Sequence, residues 1–430
     1  MAVRTIGKRA AARRARPRRA VAAAASVSGV LAALALAAGP ALAQPGMPPA
    51  GPIPGPSAQA QLSRLREMAV GSTVASNGDT NPYGVAVVPF SKGNLVKGDV
   101  LVANFNNSYG TAGAGTTIVE IDPTTGETTT FYQGQSTLVG PVAIAINPNN
   151  DIVWVGDYGP ANASGVYDGA AATVDVISPA GKRLAFFDNA NTGTSIFNGV
   201  WGQAFADING HGSFIWTNAG DGTTGEGGGG VWQLTPLAGV TNQPLGSSYT
   251  LLASGLGYNN TPGTTAANAA GPQGTVYDAN NDTLYVTDDY DNTIEAITGL
   301  GTGSPMTTTL VSGGWLNTPQ GIAINPSNGD LLVVNGAGNN DLLEYSPAGQ
   351  LVAHRDLLPG QPAGALFGIA ATTTGPGQMA IYFGDDDNNM LYQLTGPLAG
   401  PGMPPAPPVP PAPPVPPAPP APPMPPAMAH

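Results

Sequence analysis

An all-β fold assembled from one short motif used repeatedly is the architecture this sequence predicts, on three observations. Gly (60) and Pro (44) are plentiful among 430 residues, and charged residues make up only 10 %, which suits a turn-rich β protein. The stretch Thr318–Gln350, TPQGIAINPSNGDLLVVNGAGNNDLLEYSPAGQ, holds three short apolar runs bounded by Gly, Pro, Asn and Asp, with no competing helical period. The same phrase recurs along the chain.

The first 43 residues are a leader by composition. Eight basic groups (Arg4, Lys8, Arg9, Arg13, Arg14, Arg16, Arg18, Arg19) precede an Ala-rich apolar run, Val21–Ala38, and then Ala41-Leu42-Ala43, which has the form of a cleavage site. This predicts a secretory signal peptide, 1–43, cut after Ala43 and leaving no stable membrane span. Retention as an anchor is the competing reading. Arg13-Arg14 and Arg18-Arg19 allow twin-arginine as well as general export. Without the leader, seven basic residues face 27 acidic ones, a net charge of about −20. Those seven are scattered, so no basic stripe exists for a nucleic acid and an anionic membrane surface is disfavoured. The chain has no Cys, which excludes disulfides.

A Pro/Gly-rich linker, 44–61, follows. Gln59–Met68 predicts a short helix and Val70–Ala75 a strand with no partner nearby. From Pro82 the motif starts. Its first strand reads Tyr83–Val87, Pro141–Ile146, Val200–Phe205, Pro272–Val276, Pro319–Ile324 and Phe367–Ala370. Its second strand ends each time in Asn or Asp: Asn104, Asp157, Asn218, Asp288, Asn335 and Asp385. A third strand follows each copy. Six copies at about 47 to 70 residues give the period of a six-bladed β-propeller. The insert Pro236–Ala270 keeps a seven-blade count open. Outer strands are readable after five copies (Thr128–Tyr132, Arg183–Phe187, Tyr249–Ala253, Thr307–Val311, Leu351–His354) but not after the sixth. The orphan Val70–Ala75 is the natural substitute, so an N-terminal strand closes the ring and removes its exposed edges.

With its P-x-G-I-A phrase, apolar second strand, Asp/Asn loop and Pro-Gly turn, the segment from about 68 to 396 resembles the NHL-type propellers. Copies two and three depart, with Ala143 in place of the Gly and Trp201 before Gly202. The resemblance implies a propeller over 62–398 and is nearly silent on function. The remaining 399–430 carry PPAPPVPPAPP units, which predict a disordered, extended polyproline tail serving as a spacer or as the ligand of an aromatic-lined groove.

In a four-stranded blade the loop entering strand one and the loop joining strands two and three share a face. Asn104, Asp157, Asn218, Asp288, Asn335 and Asp385 are therefore predicted to ring one mouth of the channel as candidate ligand-binding residues. Their hard oxygens suit Ca²⁺, and the lactonase-like propellers, to which this architecture is similar, hold a metal near that position. Asp157, Asp288 and Asp385 are the candidate metal ligands here. The competing reading is that Asn and Asp cap their own turns. Three carboxylates about 10 Å apart repel by only about 0.4 kcal/mol per pair in water, too little to demand a cation.

Asp207–Gly212 resembles the start of a calcium loop, but His211 replaces an oxygen ligand, and a plain turn is favoured. Gly220–Gly225 matches G-x-G-x-x-G without the strand-to-helix setting a dinucleotide needs. Only His211 and His354 fall in the propeller, too few for a three-His zinc site or an evident triad. Phe105, Tyr158, Trp201, Trp216, Tyr290 and Phe367 are aromatic candidates near the mouth. No catalytic residue is assigned. The first reading is a secreted, periplasmic or envelope-associated, non-catalytic binding module for a protein, peptide or carbohydrate. The alternatives are a Ca²⁺-dependent hydrolase or lactonase of the propeller type, and a structural spacer that works through its tail.

Overall fold

The computed structural model describes residues 56–134, 138–235, 248–265 and 268–398. The leader, most of the linker, part of the Pro236–Ala270 insert and the proline-rich tail lie outside them.

Twenty-four strands form six antiparallel four-stranded sheets, which are the blades of a six-bladed β-propeller. Blade I is Thr80–Val87, Val100–Asn106, Thr117–Ile121 and Thr128–Gln133. Blade II is Pro141–Ile146, Val153–Asp157, Val174–Ile177 and Arg183–Phe187. Blade III is Val200–Ile208, His211–Asn218, Gly230–Thr235 and Ser248–Ala253, so the insert supplies an outer strand and no seventh blade. Blade IV is Pro272–Asp278, Thr283–Asp288, Thr293–Thr298 and Met306–Ser312. Blade V is Pro319–Ile324, Leu331–Asn335, Asp341–Tyr345 and Leu351–Asp356. Blade VI is Leu366–Gly375, Gln378–Asp385 and Met390–Pro397, completed by the N-terminal strand Arg66–Ser72.

That closing strand starts four residues before the predicted Val70. Its register against the last strand decides the matter, running from Arg66 opposite Thr395 to Ser72 opposite Met390. The helix is Pro56–Arg64, so the region predicted as linker already holds it from Pro56. Leu62 and Leu65 are buried against blades V and VI. Arg355 of blade V fastens the junction: its guanidinium donates to the Leu65 carbonyl at 2.6 Å and pairs with Glu67 at 3.0 Å.

The second strands are buried throughout in blades II, IV and V, because each blade packs both faces on its neighbours. Apolar clusters accordingly fill every junction between neighbouring blades, from I–II round to VI–I. Leu101, Ile118, Val153 and Val155, for example, share the I–II cluster.

Each first strand carries a register shift near its start, at an x-Gly pair in five blades, such as Pro82 to Val85 and Pro319 to Ile322, and at Val142-Ala143 in blade II. A bulge there turns a side chain out of the ladder, and the Gly meets the next blade's backbone. A Cβ on Gly274 would lie 2.6 Å from the Gln320 carbonyl oxygen, and one on Gly321 2.6 Å from that of Phe367. Gly84, Gly202 and Gly368 stand equally tight against their neighbours. Gly274→Ala should therefore destabilise the fold by about 1–3 kcal/mol, the usual cost of forcing an extra carbon into a packed contact. Gly375→Ala, where nothing lies within 4 Å, should leave the melting temperature unchanged. Equal melting of the two variants would refute the close-approach account.

Candidate functional site

The six second-strand Asn and Asp residues are all buried, from 0 % to 2 % exposed, and each serves its surrounding loops. Asp157 accepts at Oδ1 from the Thr173 and Gly159 N–H groups (2.8 and 3.1 Å) and at Oδ2 from the Thr173 hydroxyl at 2.8 Å. Asn104 donates to the Thr73 carbonyl at 2.9 Å. Asn218 and Asn335 donate to the carbonyls of Ile196 and Trp315, both at 2.8 Å. Asp288 accepts from the Tyr290 N–H at 3.0 Å, and Asp385 from the Asp387 N–H at 3.0 Å. Asp157, Asp288 and Asp385 thus each accept from the N–H two residues on, as turn caps do, whereas Asn104, Asn218 and Asn335 tie their loops to segments 20 to 31 residues away.

Asp157, Asp288 and Asp385 do not form a ligand group. Among the described residues, the carboxylates whose oxygens gather within 4.8 Å are the consecutive Asp385, Asp386 and Asp387. Of the three candidate ligands, Asp385 alone keeps a buried carboxylate oxygen, Oδ2, without a hydrogen bond. One ion shared by Asp157, Asp288 and Asp385 does not fit this arrangement. Asp207–Gly212 is a tight hairpin, with Ile208 paired to His211 and positive φ at Asn209 and Gly210.

The mouth of the channel is built from two other rings. One is the residue before the bulge Gly, or before Ala143 in blade II: Tyr83, Val142, Trp201, Gln273, Gln320 and Phe367. The other is the position just after each Asn or Asp, including Phe105, Tyr158, Asp289 and Asp386. Between them they divide the mouth into an aromatic and a polar half.

On the aromatic side, Tyr83 stacks on Phe367 (4.0 Å between centroids) and on Phe105 (4.3 Å). Tyr158 meets Trp201 edge-on at 5.1 Å and Tyr167 at 4.7 Å. Long loops hold this cluster down: Tyr167 N–H donates to the Thr264 carbonyl, and Gly263 N–H donates to that of Gly222 at 2.7 Å. Trp216 lies elsewhere, stacked on Phe197 at 4.8 Å between blades II and III. Tyr290 is half exposed.

On the polar side, Asp289 accepts from the Gly271 N–H at 2.7 Å and from Gln320 Nε2 at 2.9 Å. Gln273 approaches it without a well-formed bond, and both its amide atoms, like both of Gln203 and Oε1 of Gln320, lack a partner although buried. Burial pushes Asp289 up to about 7 against the lowering pull of these donors. Asp386 also rises to about 7, by burial first and then by the charges of Asp387 and Asp385. Tyr83 is raised by burial and further by Tyr167, Asp386 and Asp289, so its hydroxyl lies in the field of both acids. Below the mouth the channel narrows between the glycine-bearing strands to a cavity of ≈ 80 Å³, room for a few water molecules.

The sequence named Phe105, Tyr158, Trp201 and Phe367, and offered the runs Asp385–Asp387 and Asp288–Asp291 as candidate added ligands with solvated loops as the competing reading, but missed Gln273 and Gln320 as mouth residues. Their signal was present in the x of P-x-G.

No family model matches the chain, and no curated protein resembles it by sequence. Solved structures similar to it include a gluconolactonase from Xanthomonas campestris (15 % identity, 82 % of this chain and 99 % of that one, TM-score 0.49). Another is the PQQ-bound aldose sugar dehydrogenase from Streptomyces coelicolor (16 %, 77 % and 99 %, TM-score 0.45). A chain of the nidogen/laminin complex is a third (16 %, 68 % and 85 %, TM-score 0.45). At these values none of them carries a function to this chain.

The raised carboxyls give the fold a defined pH response. Asp288, Asp289 and Asp386 at about 7, and Asp157 at about 8, keep their protons in the fold to higher pH than in an unfolded chain, where Asp titrates near 4. Between about pH 4 and 7 the folded state binds more protons, so stability falls as pH rises through that window. The melting temperature should be higher at pH 5 than at pH 8, and Asp289→Asn should flatten that slope. A melting temperature that climbs from pH 5 to pH 8 would contradict these assignments.

Proposed function

We propose that this protein is a secreted or envelope-associated, non-catalytic binding module whose ligand seats on the channel mouth. One observation carries the reading: the buried amides of Gln273 and Gln320 beside Asp289, and that of Gln203 in the channel wall, have unused hydrogen-bonding capacity, and the same end of the channel holds the stacked rings of Tyr83, Phe105 and Phe367. Unpaired buried polar groups are costly, and a ligand supplying their partners recovers that cost. The chemistry it would recognise is a hydroxyl- or amide-bearing tip, one face of which lies on the rings of Phe367 or Trp201. A saccharide unit or a polar peptide side chain meets that description. The channel of ≈ 80 Å³ is too narrow for more than such a tip, so the rest of the ligand stays outside, as at an interaction surface. The basic and Ala-rich composition of residues 1–43 supports the export part of this reading.

The alternative, a metal-dependent hydrolase or lactonase, draws support from the unpaired oxygen of Asp385 within the Asp385–Asp387 run. The arrangement of Asp157 and Asp288 in separate turns weighs against it.

A screen of immobilised saccharides and peptides with the labelled protein tests the proposal. Ligands found this way should lose about tenfold or more in affinity, roughly 1.4 kcal/mol, on Gln320→Leu and on Asp289→Asn, with the melting curves still cooperative. Binding indifferent to both changes would place the ligand elsewhere. A tight, saturable Ca²⁺ site removed by Asp385→Asn, together with lactone hydrolysis, would replace the proposal with the enzyme reading.

A further inference from the structure

A second and larger recess lies at the other end of the blades. Between blades I and VI a cleft of ≈ 790 Å³ opens on the face opposite the mouth, within the size range of ligand-binding pockets. Its walls include Phe90, Lys97, Thr373, Tyr382, Gln393 and Thr395. Phe90 is 53 % exposed, with the Lys97 ammonium 5.8 Å above its ring. Nothing in the mouth chemistry uses this cleft.

The chain itself supplies a candidate occupant. Thr395, in the cleft wall, lies three residues before Leu398, whose N–H donates to the Gly377 carbonyl at 2.9 Å on the same face. The 32 residues that follow, 399–430, carry repeated Pro-Pro-Ala and Pro-Pro-Val units and no charged Asp, Glu, Lys or Arg. Proline offers carbonyl oxygens but no N–H, so a groove that recognises such a segment must supply donors and a flat apolar surface. The cleft offers both. Lys97, Gln393 and the hydroxyls of Thr373 and Thr395 can donate, and the open face of Phe90 can receive a pyrrolidine ring. A segment tethered this close reaches an effective concentration on the order of millimolar, so even weak docking is substantially populated.

We propose that the cleft between blades I and VI is a docking site for the chain's own proline-rich C-terminal segment, taken up as an extended polyproline II rod. The site is independent of the ligand at the channel mouth.

The absence of Cys from the natural chain makes the test clean. A benzophenone maleimide attached to Thr373→Cys in the full chain is irradiated, and the adducts are mapped by mass spectrometry. Adducts to residues 403–428 are expected within single chains. Ser63→Cys, exposed on the helix that packs against the other side of blade VI, should give severalfold fewer. Adding Phe90→Ala to Thr373→Cys should also cut the yield severalfold, which mere tethering would not do. Phe90 is exposed, so its loss leaves the fold intact, as a melting curve will verify. No adducts to the tail, equal yields from the Ser63 probe, or a yield unmoved by Phe90→Ala would overturn the proposal. Adducts found only in covalent dimers would overturn it too, assigning the cleft to the tail of a second copy.

Discussion

The architecture depends on how closely six first strands can crowd around one axis. At the x-Gly bulge each strand meets the backbone of its neighbour at distances that exclude a Cβ, as between Gly274 and Gln320 or Gly321 and Phe367. Glycine is present there because the facing atoms are carbonyls and backbone carbons that cannot turn aside. Ala143 stands at the corresponding position of blade II with the smallest side chain that is not hydrogen. This crowding lets apolar clusters fill each blade junction. It also closes the channel to little more than a few waters. The bulge that accompanies each glycine turns the preceding side chain out of the ladder there, so one local device sets both packing and site.

Much of this was legible because a propeller repeats its structural needs. The P-x-G phrase, the apolar second strand and the terminal Asn or Asp recur since each blade solves the same packing and turn problem. The candidate site was harder to read for the same reason. Asn104, Asp157 and Asn218 are alike because they do alike work, bonding to nearby backbone. The side chains at the mouth differ from blade to blade: Tyr83, Trp201 and Phe367 against Gln273 and Gln320, or Phe105 and Tyr158 against Asp289 and Asp386. Repetition marks what the fold requires, and its interruption marks what a ligand could read. The closing strand was legible as a need before its bounds were, since a lone strand's limits come from a partner more than 300 residues away.

Electrostatics adds a second asymmetry. The protein is strongly acidic, and burial raises many of its carboxyls. Where loop donors dominate, the reverse occurs: burial pushes Asp221 up, yet the Thr224 and Thr223 bonds outweigh it and hold it below its ordinary range. Asp289 receives bonds from Gly271 and Gln320 and is still raised, because burial prevails. At neutral pH the mouth therefore holds carboxyls near their titration midpoint, able to donate as well as accept. Beside amides with unused atoms, that dual capacity suits a neutral hydroxyl or amide group better than a fixed charge.

The placement of the chain ends completes the argument. The N-terminal strand and the last strand pair as the outer strands of blade VI, so the ring closes without spending either terminus on the mouth. The helix before it bonds on the far side, where Gln59 donates to the His354 carbonyl at 2.8 Å and Gln61 to Ser327 at 3.1 Å. The chain also leaves Leu398 on that side, anchored to the Gly375–Gln378 turn. Proline-rich sequence flanks the propeller at both points. The first and last described residues of the propeller thus lie at one end of the ring, and the aromatic and amide rings lie at the other, where the chain's own loops cover the aromatic half. Within the described residues, the chain ends and the channel mouth are thereby separated by the thickness of the blades.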